Sequence, residues 1–71
     1  MEHFPVDSSN VATISHRDPE TGDFEVCFKG GAKYVHRAVP QEVYDGLVSA
    51  KSKGGYYYKH LNGRFGVSKV S

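Results

Sequence analysis

The chain has a single cysteine, Cys27, among its 71 residues. One cysteine excludes an intramolecular disulfide and a cysteine-rich metal knuckle, and it suits a reducing compartment. No apolar run approaches the length of a membrane span. The opening Met1-Glu2-His3-Phe4-Pro5 lacks the basic start and apolar core of a signal peptide, so a cytoplasmic location is expected. The histidines His3, His16, His36 and His60 fall at no spacing typical of metal ligation, and none lies near Cys27 in sequence. Gly30-Gly31 is not followed by a helix start, so it forms no phosphate loop. A reaction pocket also needs a volume that so small a domain rarely encloses. No catalytic residue, metal site or cofactor is expected, and the chain reads as a non-enzyme.

Acidic residues are missing from the last third. Residues 46–71 hold five bases (Lys51, Lys53, Lys59, Arg64, Lys69) and no acid, whereas residues 1–25 hold six acids and one base, Arg17. The formal net charge of +1 hides this asymmetry. A basic segment of this kind suits a polyanionic partner, and it also suits the C-terminal ends of helices and a solvated tail.

This length allows one domain, residues 1–71, with a stability on the order of 3–5 kcal/mol. Pro5 and Asp7-Ser8-Ser9 make residues 1–9 a loose lead-in. Val11 to His16 is rich in β-branched residues and predicts a first strand. Val11 and Ile14 fall on opposite faces of an ideal strand, which calls for a bulge or a late strand start. Asp18-Pro19-Glu20-Thr21-Gly22 is a turn, with positive φ at Gly22. Asp23 to Lys29 is the clearest strand: Phe24, Val26 and Phe28 share one face, Glu25, Cys27 and Lys29 the other. Gly30-Gly31-Ala32 turns the chain into a third strand, Lys33 to Arg37. The sequential antiparallel arrangement is a meander.

Val43, Leu47 and Ala50, widened by Tyr44 and Val48, form the apolar stripe of a helix over 40–52. Pro40 suits its first position. Gly46 weakens its middle by up to about 1 kcal/mol, and Gly54-Gly55 stops it. Tyr57 and Leu61 share a face of a short second helix over 56–62. Residues 66–71 form a polar tail in which Val67 and Val70 suit a short edge strand. The expected fold is α+β: a three-stranded antiparallel meander with the first helix packed across one face.

This ordered set resembles the KTSC family, a small domain also found at the C-terminus of some lysyl-tRNA synthetases and as a stand-alone protein in bacteria and phages. The residues that carry the likeness include Ser8-Ser9-Asn10, Phe24-x-Val26-x-Phe28, Tyr34-x-His36, Val39-Pro40-x-x-Val43-Tyr44, Ala50-x-Ser52-x-Gly54 and the Tyr57/Leu61 pair. They span nearly the whole chain. The family's central motif is Tyr-x-Tyr, where this chain reads Tyr34-Val35-His36. Its Tyr-Phe pair is often followed by Asn, where this chain has Tyr58. The resemblance implies RNA binding, through the synthetase association.

The residues themselves point to binding. In Lys51-Ser52-Lys53-Gly54-Gly55-Tyr56-Tyr57-Tyr58-Lys59-His60 bases alternate with aromatics. Lysines release counterions from phosphates, and exposed tyrosines stack on unpaired bases for about 1–3 kcal/mol each. Tyr57 is the expected core residue; Tyr56 and Tyr58 are the expected stacking pair, and Lys51, Lys53, Lys59 and Arg64 the phosphate contacts. Tyr34 and His36 form a second strip, or they pack under the helix with polar tips in water. Asp23 and Glu25 would repel phosphate on whichever face they occupy. The alternative is a protein-interaction or homodimerising module, since a meander leaves two open sheet edges. No membrane partner is expected.

Overall fold

The computed structural model describes residues 2–70. Five strands form a single antiparallel sheet: β1 (His3–Pro5), β2 (Val11–Ser15), β3 (Phe24–Phe28), β4 (Lys33–Arg37) and β5 (Gly66–Lys69), in the order β1-β2-β3-β4-β5. Two helices, α1 (Gln41–Ser49) and α2 (Lys53–His60), lie between β4 and β5 in the chain. The class is α+β, as expected, but the sheet has five strands rather than three.

The alternation at β3 does what the sequence predicts. Phe24 and Val26 are fully buried, with Ile14 and Val11 beside them from β2 and Tyr44 and Leu47 above them from α1. Each such side chain contributes roughly 1.5–3 kcal/mol of transfer free energy. The mismatch between Val11 and Ile14 is resolved by a register shift between Val11 and Thr13, so that Val11 faces Phe28 and Ile14 faces Val26. Ala12 is the extra residue, and both large side chains reach the core.

The turn before β3 also forms. The Asp18 carboxylate accepts from the Glu20 and Thr21 N–H groups at 2.8 and 3.3 Å. Gly22 has φ +80°, and a Cβ there would stand 3.0 Å from the Val39 backbone nitrogen and oxygen. Only glycine permits both the conformation and the approach.

Several expectations need correction. The loose lead-in expected over 1–9 is not found among the described residues, which begin at Glu2: β1 pairs with β2, placing Phe4 opposite Ile14. Pro5 ends that short edge strand, where a missing N–H costs little. The tail expected over 66–71 does hold the edge strand that Val67 suits: β5 pairs with β4, with Val67 opposite His36, while Val70 follows the strand and Ser71 lies outside the described residues.

The helix expected over 40–52 stops at Ser49. Ala50 turns extended (φ −65°, ψ 139°), and Pro40 is the N-cap residue rather than the first helical one. The second helix begins at Lys53, not at residue 56, because the Ser52 hydroxyl caps it by accepting from the Gly55 N–H at 3.3 Å. Gly54 and Gly55, expected as a stop, therefore sit in the first turn of α2. Gly46 has a packing role: a Cβ there would overlap the Tyr56 hydroxyl of α2. The missing side chain lets the two helices dock.

Candidate functional site

Tyr34 and His36 share one face of β4, opposite Val26 and Phe24 respectively, and that face lies under the helices. α2 brings Tyr57 down onto them. The Tyr57 ring packs edge-on against Phe28 at 5.2 Å and against His36 at 5.1 Å. Phe28 in turn meets Tyr34 edge-on at 5.9 Å. These contacts form one side of a cleft of about 390 Å³ between β4, the exposed side chain of Val67 on β5, Tyr58 on α2 and the Asn62-Gly63 turn. The volume lies within the range usual for ligand pockets, roughly 300–1,000 Å³. Asn10 and Gly54 complete the lining, and a Cβ on Gly54 would come within 3.0 Å of the Asn10 amide.

His36 is the polar centre of this cleft. Its side chain is 1% exposed, and among the described residues neither ring nitrogen has a hydrogen-bond partner. Phe24 stacks against it at 5.5 Å and offers no polar atom. Burial lowers the imidazole pKa from 6.5 to about 4, so the ring is neutral at physiological pH. Burial also raises the Tyr57 hydroxyl, and the neighbouring Tyr34 hydroxyl adds to the rise. The lining therefore carries no charge at neutral pH.

The residues named from sequence are spread around this cleft. Tyr34 and His36 are in it, with His36 buried and Tyr34 half-buried. Tyr58 lines it and is 76% exposed, as expected of a stacking residue. Tyr56 is not exposed as expected: it is half-buried over Gly46 and packs on His60 at 4.3 Å, outside the cleft lining. Lys51 and Lys59 are exposed. The Lys53 ammonium donates to the Ala50 carbonyl at 2.9 Å, closing the end of α1. Arg64 is exposed, with its Nε donating to the Lys59 carbonyl at 3.0 Å.

Asn10, Phe28, Asn62 and Val67 were not anticipated as site residues. Phe28 carried a signal in the alternation of β3, and Val67 in the short edge strand expected of it. Tyr57, expected in the core, packs against it while half-buried, and its ring also walls the cleft.

The opposite face of the sheet carries Glu25, which is paired with Val35. There His3 bridges three strands, with Nε2 2.6 Å from the Glu25 carboxylate and Nδ1 2.9 Å from the Thr13 hydroxyl. This chain of polar contacts staples β1 to β3. Among the described residues no cluster of His, Cys, Asp or Glu is arranged to hold a metal ion, and no helix is long and apolar enough to cross a membrane.

The chain is similar to known proteins. The crystal structure of a KTSC domain protein from Yersinia pestis superposes with a TM-score of 0.87 at 30% identity, covering 99% of this chain and 97% of that one. A protein of Tsukamurella paurometabola is 36% identical over 61 residues, which is 86% of this chain and 90% of its own length. An uncharacterized protein of Stutzerimonas stutzeri is 37% identical over 57 residues, 80% of this chain and 79% of its own. The profile of the KTSC domain matches residues 7–65, a stretch that takes in the cleft from Asn10 to Gly63. This chain belongs to the KTSC domain family.

Proposed function

We propose that the protein is a non-catalytic binding module for single-stranded nucleic acid, RNA above all, and that the strand crosses the face formed by α2, the 61–65 turn and β5. One observation carries the reading: an uncharged, aromatic-lined cleft opens between the sheet and the acid-free basic third of the chain. Such a surface suits a partner with flat apolar groups on an anionic backbone. Lys51, Lys59 and Arg64 are exposed for phosphate, and Tyr58 for stacking. Glu25, whose charge weighs against a polyanion, lies on the far side of the sheet from the cleft, tied to His3.

Fluorescence anisotropy with labelled single-stranded RNA, single-stranded DNA and duplex, at low and at physiological salt, tests the proposal. Single strands are expected to bind better than duplex, with affinity falling as salt rises. Lys51→Glu with Lys59→Glu is expected to weaken binding about tenfold or more while leaving the circular dichroism spectrum intact. Binding equal to that of the parent would rule this face out.

A second reading rests on β5, an outer strand of the sheet with Val67 46% and Val70 53% exposed. Such an edge suits strand pairing with a protein partner or a second copy. Sedimentation that depends on concentration but little on salt would favour it.

A further inference from the structure

The fold makes no use of the two nitrogens of His36. Its ring is buried between Phe24 and Tyr57, so a phenylalanine would fill the place without losing any hydrogen bond among the described residues. An unpaired buried polar group is a cost that a stable fold does not require. The imidazole borders the cleft with both nitrogens closed off from water, so a molecule in the cleft reaches one of them once the ring or the side chains over it shift.

We infer that the cleft is a pocket for one planar, uncharged heterocycle of the nucleobase type, and that His36 is the residue that hydrogen-bonds it. The inference rests on the strand-binding reading for the choice of a nucleobase, and it adds which part of the strand enters and what reads it.

Four observations support this occupant. A neutral imidazole presents one N–H donor and one bare acceptor nitrogen, and no partner fixes which nitrogen is which. The nitrogen nearer the cleft can therefore present either its N–H or its bare lone pair, and nucleobase edges carry both acceptors and donors to meet it. A carboxylate or an ammonium would be stripped of water against apolar walls with no counter-charge in the lining. The walls are ring systems, Tyr57 and Phe28 behind and Tyr58 at the exposed side, which suit a flat ring. Finally, Lys59 and Arg64 are exposed close in sequence to the lining residues Tyr58 and Gly63, so a phosphate attached to the ring would meet positive charge outside the pocket.

The test uses uncharged nucleosides, which carry the ring without the phosphate. Adenosine, guanosine, cytidine and uridine are titrated in turn into the ¹⁵N-labelled protein, while the His36 ring nitrogens and the amides of Tyr57 and Val67 are followed by NMR. At least one nucleoside is expected to shift a His36 ring nitrogen saturably, and the matching 5′-monophosphate to bind more tightly at low salt. His36→Phe is expected to bind that nucleoside at least threefold more weakly, the worth of one hydrogen bond, while melting at a higher temperature than the parent. A residue with a merely structural role would lose stability instead. His36→Gln, which keeps a donor and an acceptor, should retain part of the binding.

Nucleosides that leave the His36 nitrogens unmoved overturn the inference, as does a folded His36→Phe protein that binds them as well as the parent. If that variant fails to fold, the ring-nitrogen shifts of the parent decide. Oligonucleotide binding that persists with silent nucleosides sinks the pocket and leaves the strand-binding reading standing. Nucleoside shifts at His36 without any oligonucleotide binding do the reverse.

Discussion

The helix-covered face of the sheet has two halves that are finished differently. Over β2 and β3, α1 seals Ile14, Phe24, Val26 and Leu47 from water entirely. Even the polar tip there is satisfied, since the Tyr44 hydroxyl donates to the Ser15 carbonyl at 2.8 Å. Over β4 and β5, α2 buries none of its own residues fully, and its tyrosines are half-buried or exposed. There the polar centre, His36, is shut away from water without a hydrogen-bond partner among the described residues. The contrast assigns different physical work to the two halves. One supplies the hydrophobic driving force, and the other holds rings in place around a gap at some cost to the whole.

The sharpest way to break this comparison is to truncate one residue in each half. Leu47→Ala should cost about 2–5 kcal/mol, as buried leucines do, which for a domain of this size approaches the whole stability. Tyr58→Ala should cost less than about 0.5 kcal/mol, being a surface change. Urea unfolding followed by circular dichroism measures both. Similar losses at the two positions would mean that the halves are not distinct.

The next effect is on pH dependence. In the unfolded chain His36 titrates near its ordinary 6.5, and in the fold burial holds it at about 4. Below pH 6.5 the unfolded state therefore takes up a proton that the folded state refuses. The stability lost grows as pH falls toward 4, reaching about 3 kcal/mol, and no such loss occurs above 6.5. Tyr57 is the titratable ring packed on it, and its own raised pKa keeps it neutral through this window. His36→Phe removes the effect, so the gap between variant and parent should widen from pH 7.5 to pH 4.5. A gap that stays constant would contradict the assignment.

The smallest effect concerns the seam between the halves. Alanine is favoured over glycine within a helix by about 1 kcal/mol, yet a Cβ at Gly46 collides with the Tyr56 ring. Gly46→Ala is expected to destabilise by about 1 kcal/mol in the parent and to stabilise by up to about 1 kcal/mol once Tyr56→Ala has cleared the space. Thermal melts of the four proteins in this cycle would show whether the sign reverses.

The closed half was legible in the sequence and the open half only in part. Phe24-x-Val26-x-Phe28 and the stripe through Tyr44 and Leu47 are patterns whose period alone places them against each other. Even the bulge in β2 follows from the spacing of Val11 and Ile14. β1 and β5 are three and four residues long, too short for a period to stand out, and they form because a neighbouring strand supplies their hydrogen bonds. The break between the helices was hidden by Ser52, which reads equally as a residue near a helix end or as the cap of a new helix. With α2 starting three residues early, Tyr56 faced α1 rather than solvent. The segment rich in lysine and tyrosine supplies part of the cleft lining through Gly54, Tyr57 and Tyr58. The partnerless state of His36 depends on what lies on every side of it, and a sequence does not contain that.

Strand order in the sheet equals chain order. Three of the four pairings close over short connections, residues 6–10, 16–23 and 29–32. The fourth, β4 with β5, must close over residues 38–65, which include both helices. Longer loops lose more chain entropy on closure, and non-local pairings form slowly. The wall of the cleft that carries Val67 is thus the late-zipping end of an otherwise local folding route, and it should be the first part to unzip. Amide hydrogen exchange faster at Val67 and Ser68 than at Val26 and Cys27 would record that order, and the breathing of this single seam would then set how readily the cleft opens and closes.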